Sequence, residues 1–280
     1  MGLKVWFITG ASKGFGMELT KAALDAGDTV VATARNPKSI EDAIGKQDRL
    51  LTLKLDVTNE QQAKEAVDAA LKRFGQIDVL VNNAGRGLVG AVEETTADEV
   101  RSAFAVNVEG TLNVSRAALP SMRARKSGHI LNLSSVGGFR AWPGWGIYCG
   151  TKFMVEGFSE AMQAELEPLG IKVTIVEPGP FRTDFLDDSS LGRSKIVLAD
   201  YSATAGAARE WADNSHNAQP GDPAKAAAAA AMVKITEVER PPLRLQLGRD
   251  CVAAVEAKLD HVKQELEQWR QLAESTAFTE

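Results

Sequence analysis

Short apolar runs alternate with helix-length amphipathic stretches along most of the chain. Strands are predicted at Val5–Thr9, Thr29–Ala34, Leu50–Leu55, Val79–Val81, His129–Leu133, Lys172–Val176 and Leu243–Leu247. These runs are near-continuously apolar, as strands covered on both faces must be. Between them, apolar positions recur at the helical period over Gly16–Ala26, Glu60–Phe74, Asp98–Met122 and Cys149–Leu166. Strand and helix in strict alternation predict an α/β fold. The expected architecture is a doubly wound, seven-stranded parallel sheet with helices on both faces, in a single domain over residues 1–280. Ligands are then expected at the carboxyl ends of the strands.

The alternation fails between Thr183 and Pro220, a stretch rich in polar and small residues with no clear strand. A long irregular insertion in a compact domain is usually a lid or binding loop, the alternative being a solvated excursion. Beyond it, "GDPAKAAAAAAMVKI" predicts a helix with Asp222 as N-cap, Pro223 in the first turn and a tightly packed alanine run. A last helix is expected over about 250–273. Val255, Leu259, Val262, Leu266 and Trp269 form one stripe along it, suited to core or to a subunit interface.

Composition narrows the function. The 280 residues are 44% hydrophobic and 25% charged, with a net charge of −5. That balance argues against nucleic acid or an anionic membrane as the main partner. Apolar runs are too short to span a bilayer. Cys149 and Cys251 match no metal-ligand spacing, His129, His216 and His261 stand singly, and no metal site is expected. The N-terminus enters a strand at once, without a signal-peptide pattern, so a reduced, cytoplasmic protein is expected.

The first strand runs into "TGASKGFG", with Gly10, Gly14 and Gly16 before a helix. Glycines there permit a tight turn and a close approach of backbone to a pyrophosphate at a helix N-terminus. The spacing Gly-x-x-x-Gly-x-Gly resembles that of the short-chain dehydrogenase/reductase family, which implies a Rossmann-type fold and a nicotinamide cofactor. An NAD site usually carries an acid at the end of the second strand. Here "TVVATARN" offers Arg35 instead, and Lys13 adds a cation in the glycine loop. Arg35 can bind a 2′-phosphate bidentately and Lys13 as a point charge. NADP(H) is therefore expected; the alternative is that both are solvated surface charges.

The resemblance continues in family order over about two-thirds of the chain. It implies cofactor contacts from Ser12 and Phe15 in the loop, Asp56 and Val57 in "LDV", and Asn83, Ala84 and Gly85 in "NNAG". The turn in "VEPGPFRTDF" would add Pro178, Gly179, Phe181 and Thr183 on the nicotinamide side. Asn107 in "FAVNVEG" matches a helix-interrupting asparagine, expected to position water between Lys152 and solvent. Of the adjacent pair Ser134 and Ser135, the family distance of thirteen positions to the tyrosine selects Ser135. "YCGTK" supplies Tyr148 and Lys152, one helical turn apart. "YC" with the following "KF" and "EG" is also similar to the branch containing 17β-hydroxysteroid dehydrogenases.

A phenol with a reference pKa near 10 needs roughly 4 kcal/mol of preferential phenolate stabilisation to work at neutral pH. A cation about 4 Å away at an effective dielectric near 20 supplies that order of energy. Lys152 is expected to be that cation and, by resemblance, to hold the nicotinamide ribose as well. Cys149 is read as a small buried hydrophobe.

"VGGFRAWPGWGI", with Gly137, Phe139, Trp142 and Trp145, and the later Phe185 are expected to border a cleft for a bulky apolar or aromatic substrate. Leu88 and Val89 could join them, and the aromatics could equally be core or subunit contacts. Ketone reduction or alcohol oxidation is the leading function. Enoyl reduction or epimerisation on the same scaffold, or a non-catalytic NADP-sensing regulator, are alternatives. A homodimer or homotetramer is expected, built on the helices at Asp98–Met122 and Cys149–Leu166.

Overall fold

The computed structural model describes residues 3–227 and 231–278. Its main sheet has seven parallel strands, with β1 (Val5–Ile8), β2 (Thr29–Ala34), β3 (Leu50–Lys54), β4 (Val79–Asn82), β6 (Gly128–Leu133), β7 (Ile171–Pro178) and β9 (Arg244–Leu247). The spatial order is β3-β2-β1-β4-β6-β7-β9. The chain winds outward from β1 through β2 to β3, then returns to place β4 on the other side of β1. Crossovers therefore leave in opposite directions at β1 and β4, which opens a crevice at their carboxyl ends.

Each face of the sheet carries its own apolar layer. Trp6, Ile8, Val30 and Leu131 pack on Leu19 and Ala23 of α1 (Gly14–Asp25) and on Ile40 of α2 (Lys38–Ile44). Phe7, Val31, Leu80 and Ile130 face Val67 of α3 (Glu60–Phe74), Val114 of α5 (Gly110–Arg125) and Met162 of α6 (Gly146–Leu166). Side chains alternate between the faces, so strands buried on both sides must be apolar throughout.

The stretch expected as one helix, Asp98–Met122, is a rod in three pieces. α4 (Ala97–Phe104) begins at a capping box in which Thr96 and Glu99 bond each other's backbone N–H. A π-helical turn over Ala105–Glu109 then leads into α5. The interruption falls on Asn107, as expected for that residue.

The region from Thr183 to Pro220 differs from the expectation of an irregular loop. Leu191–Arg193 (β8) pairs in parallel with a further strand, Gly87–Val89 (β5), and α7 spans Ala207–Ser215. Three acids beneath tie this cap down. Leu198 N donates to Glu94 Oε1 at 2.8 Å, Lys195 N to Glu99 Oε1 at 3.0 Å, and the Tyr201 hydroxyl to Glu93 Oε2 at 2.6 Å. Arg209 pairs with the buried Glu94. Burial alone would raise the Glu94 carboxyl, but bonds from Leu198, Ala91 and Arg209 overcome it and hold the group below the usual carboxylate range.

Asp222 caps α8 (Pro223–Ala227) as expected, its Oδ1 accepting from Ala224 N at 3.0 Å and Lys225 N at 3.2 Å. Ala226 and Met232, the latter in α9 (Met232–Ile235), join the layer under α1. Residues 228–230 of the alanine run lie outside the described residues. The last helix, α10 (Arg249–Glu274), buries only its base at Cys251 and Val255. The stripe expected as core or interface is otherwise exposed.

Candidate active site

A cleft of about 1170 Å³ opens at the carboxyl ends of the central strands, where the crossovers part. One end is built by the turn between β1 and α1. Gly10 and Gly14 take φ of +63° and +55°, a left-handed backbone that favours glycine. A Cβ on Gly10 would stand 2.9 Å from Ala84 Cα, and one on Gly16 only 2.5 Å from the Gly10 carbonyl oxygen. Side chains there would collide with the end of β4 and with the loop's own backbone, so glycine lets the turn stay tight over the N-terminus of α1, a cradle that fits a dinucleotide.

Of the residues expected around the cofactor, Ser12, Lys13, Phe15, Arg35, Asp56, Val57, Ala84, Gly85, Pro178, Gly179, Phe181 and Thr183 all border the cleft, with Gly10 and Gly14. Gly16 is placed differently: it is not in the wall but beneath the loop. Asn83 reaches the wall yet spends its amide on the loop, donating to Thr9 O at 2.9 Å and Gly10 O at 3.1 Å. Arg35 is exposed just past the end of β2, where no acid stands. Lys13 donates to Ser189 of the cap.

The reacting end is set by α6, whose first turns carry Tyr148 and Lys152 beside the end of β6. Both are buried. Ser135 lines the cleft and accepts from Gly137 N at 3.0 Å, while Ser134 lies more deeply buried against Glu156. Lys152 Nζ donates to Leu133 O at 2.7 Å and lies 5.9 Å from the centre of the Tyr148 ring. Asn107 is fully engaged: Oδ1 accepts from Arg86 N at 2.8 Å, and Nδ2 donates to Arg86 O and to Thr151 Oγ1, both at 2.9 Å. Its carbonyl oxygen accepts from Thr111 at 2.9 Å. The Asn107 side chain thus holds the floor under Gly85 and the start of α6 rather than pointing at solvent.

Electrostatically the site departs from expectation. Burial pushes the Tyr148 phenol above its ordinary value; Ser135 opposes this, and Cys149 adds to it. The Lys152 ammonium does not bring it down. Burial lowers Lys152 itself to about 8, against the pull of Glu156. The physical cause is shared: burial of both groups penalises any unpaired charge, and the lysine's donor is already directed at a carbonyl. The protein alone keeps a protonated phenol, the form of a proton donor. Cys149 is buried, and burial raises its thiol, as suits a packing residue.

Aromatic rings wall the other end. Trp145 meets Tyr148 edge-on at 6.0 Å and Trp211 at 6.1 Å, and Phe185 lies 5.4 Å from Tyr148. Gly137, Trp142, Trp145 and Phe185 border the cleft. Phe139 does not border it, because the short 3₁₀ turn Val136–Gly138 carries it past the opening. Leu88 and Val89 are also corrected: both are buried in β5, where Val89 packs with Leu186, Leu191 and Ala212 of the cap. Phe181 turns to the nucleotide end, 5.1 Å from Phe15. Sequence reasoning missed Trp211 and Arg86. The sole tryptophan of the polar segment and the cation next to "NNAG" were the available signals.

A glycine cradle at such a crossover, with a protonated tyrosine at its edge, defines a nucleotide-linked α/β oxidoreductase. The family model described as short chain dehydrogenase matches residues 4–194, and this protein belongs to that family. It is similar to Oxidoreductase BOA17 of Botryotinia fuckeliana, 38% identical over 98% of this chain and 99% of that one. A 3-ketodihydrosphingosine reductase of Bacteroides thetaiotaomicron is 36% identical over 88% of each. A short-chain dehydrogenase of Streptomyces avermitilis, known from its crystal structure, superposes with a TM-score of 0.92 at 42% identity, covering 99% of this chain and 100% of that one.

Proposed function

We propose that this oxidoreductase reduces a bulky apolar or aromatic ketone with NADPH, and oxidises the matching alcohol in reverse. The observation that carries this reading is the protonated Tyr148 between Ser135 and an aromatic wall, open to the cleft that the glycine cradle begins. A bound nicotinamide would supply or accept the hydride. The chain's own residues do the rest. The Ser135 hydroxyl and the Tyr148 phenol donate to the substrate oxygen as charge gathers on it, and Tyr148 passes its proton to that oxygen. Lys152 would hold the ribose hydroxyls of that cofactor and support the phenol when it is left charged. Asn107 is a positioning residue, holding Thr151 one position before Lys152.

Arg35 and Lys13 support NADP(H): both stand at the wall where a ribose phosphate would lie, and no carboxylate closes β2. The ketone named for the Bacteroides relative is a long-chain one, in keeping with an apolar pocket. We assign Thr183–Pro220 the role of a substrate cap, given the rings and small side chains it lends to the wall. A relict, nucleotide-sensing protein is the competing reading.

The test is NADPH consumption with aromatic, long-chain and small charged ketones, repeated with Tyr148→Phe. Turnover of the apolar ketones is expected, with a loss of about 10²–10⁴-fold in the variant while NADPH still quenches protein fluorescence. Unimpaired turnover by the variant would overturn the assignment of the proton donor. No turnover of any ketone by a chain that binds NADPH would favour the sensor.

A further inference from the structure

Beyond Lys258, every described residue of α10 is exposed, leaving roughly 24 Å of helix in solvent at 1.5 Å per residue. A lone helix of that length is marginal in water, and its stability in proteins comes from packing an apolar face. This one has such a face. Leu259, Val262, Leu266 and Trp269 are 55%, 46%, 53% and 57% exposed, and Val252 nearer the base is 44% exposed. Val252, Leu259 and Leu266 follow one another at seven residues, as do Val255, Val262 and Trp269, so the stripe is a heptad seam of alternating four- and three-residue steps, its Val255 already buried against the base and the rest open.

The charges beside the seam select its partner. Glu256, Lys263 and Arg270 flank one side, and Lys258 and Glu265 the other. We infer that α10 pairs antiparallel with α10 of a second copy of this chain, Leu259 lying against Val262 of that copy and Val252 against its Trp269. In this register Glu256 faces Lys263 and Lys258 faces Glu265, and two-fold symmetry repeats each contact, so these four pairs are opposite in sign, against two pairs of like sign where Arg249 meets Arg270 at the ends. A one-heptad slip one way puts Lys263 on Lys263 and Glu265 on Glu265, cancelling its two Glu256–Arg270 pairs, and a slip the other way puts Glu256 on Glu256 and Lys258 on Lys258. A parallel pair would set Lys258 against Lys263 twice, cancelling its two Glu265–Arg270 pairs. Counted over every flank, the stated register alone has more pairs of opposite than of like sign, which is how flanking residues specify coiled-coil orientation. Within the helix, ion pairs among the described residues involve His261 with Glu265 and Arg270 with Glu267 and Glu274, leaving Glu256, Lys258 and Lys263 for the second copy.

Sedimentation equilibrium of the full chain tests this. Leu259→Glu with Leu266→Glu should halve the mass of the assembly, whatever other interface it uses. Glu256→Lys with Glu265→Lys, which makes the four opposite-sign pairs lysine on lysine, should weaken the same association at least tenfold. Adding Lys258→Glu and Lys263→Glu should restore it, since those four pairs are again opposite in sign. Circular dichroism separates lost pairing from lost helix. An unchanged mass in the leucine variant would overturn the inference and leave the seam to a different protein. So would a fourfold variant that keeps its helix but does not regain the association.

Discussion

Lys152 gives its ammonium to the carbonyl oxygen of Leu133 at 2.7 Å, across from the tyrosine one turn behind it on the same helix. The end of β6 thereby fixes where the lysine's charge sits. In that buried position Lys152 is lowered to about 8. Below that value it is charged and able to support a phenolate; above it the support is lost. Reduction should therefore fall as pH rises through about 8. The measurement is kcat/KM for a ketone at saturating NADPH from pH 6 to 10. A flat profile to pH 10 would remove Lys152 from the reaction.

Arg35 stands exposed at the end of a strand that has no terminal acid. Arg35→Asp should lower the NADPH/NADH ratio of kcat/KM by about 10²-fold or more, since hydrogen bonds to a charged group contribute about 1.5–3 kcal/mol each. Lys13→Ala should act in the same direction but less, because Lys13 also bonds Ser189 of the cap. A ratio unmoved by Arg35→Asp would refute the NADP assignment.

Trp211 reaches the site from α7, edge-on to Trp145. Aromatic pairs contribute about 0.5–1.5 kcal/mol beyond their buried area. Trp211→Ala should raise KM for aromatic ketones by roughly tenfold while sparing small ones. Equal losses for both sizes would show a damaged fold instead of a trimmed pocket.

His129 is buried in β6, its Nε2 2.9 Å from Thr174 Oγ1 and its Nδ1 without a partner. Burial first, then Lys172 and Lys4, lowers it to about 3. The unfolded chain takes up this proton near pH 6.5 and the folded chain not until about 3. Stability from this group is therefore present above 6.5 and lost as pH falls toward 3, by up to about 1.4 kcal/mol per pH unit. Urea melts of the wild type and His129→Gln between pH 7 and 5 should diverge by that slope. Parallel curves would mean that His129 is protonated in the native state.

Strand periods, the glycine loop and the Tyr148–Lys152 spacing were legible because each is local. A run of buried β-branched residues has few other uses, and a turn that needs left-handed backbone needs glycine at fixed positions. The sequence by itself thus determined the sheet, its nucleotide end and the helix that carries the tyrosine. The cap was not legible, because β8 is three residues long and finds its partner β5 about a hundred positions earlier. Nor could spacing show that Asn107 is consumed by Arg86 and Thr151, that Phe139 passes the opening, or that Trp211 closes it. The sense of the pKa shifts was also beyond it: neighbours in sequence suggested a cation lowering a phenol, while the depth of the cleft raises the phenol and lowers the lysine. Those are decided by which groups the tertiary structure removes from water, and burial is a property of the whole fold.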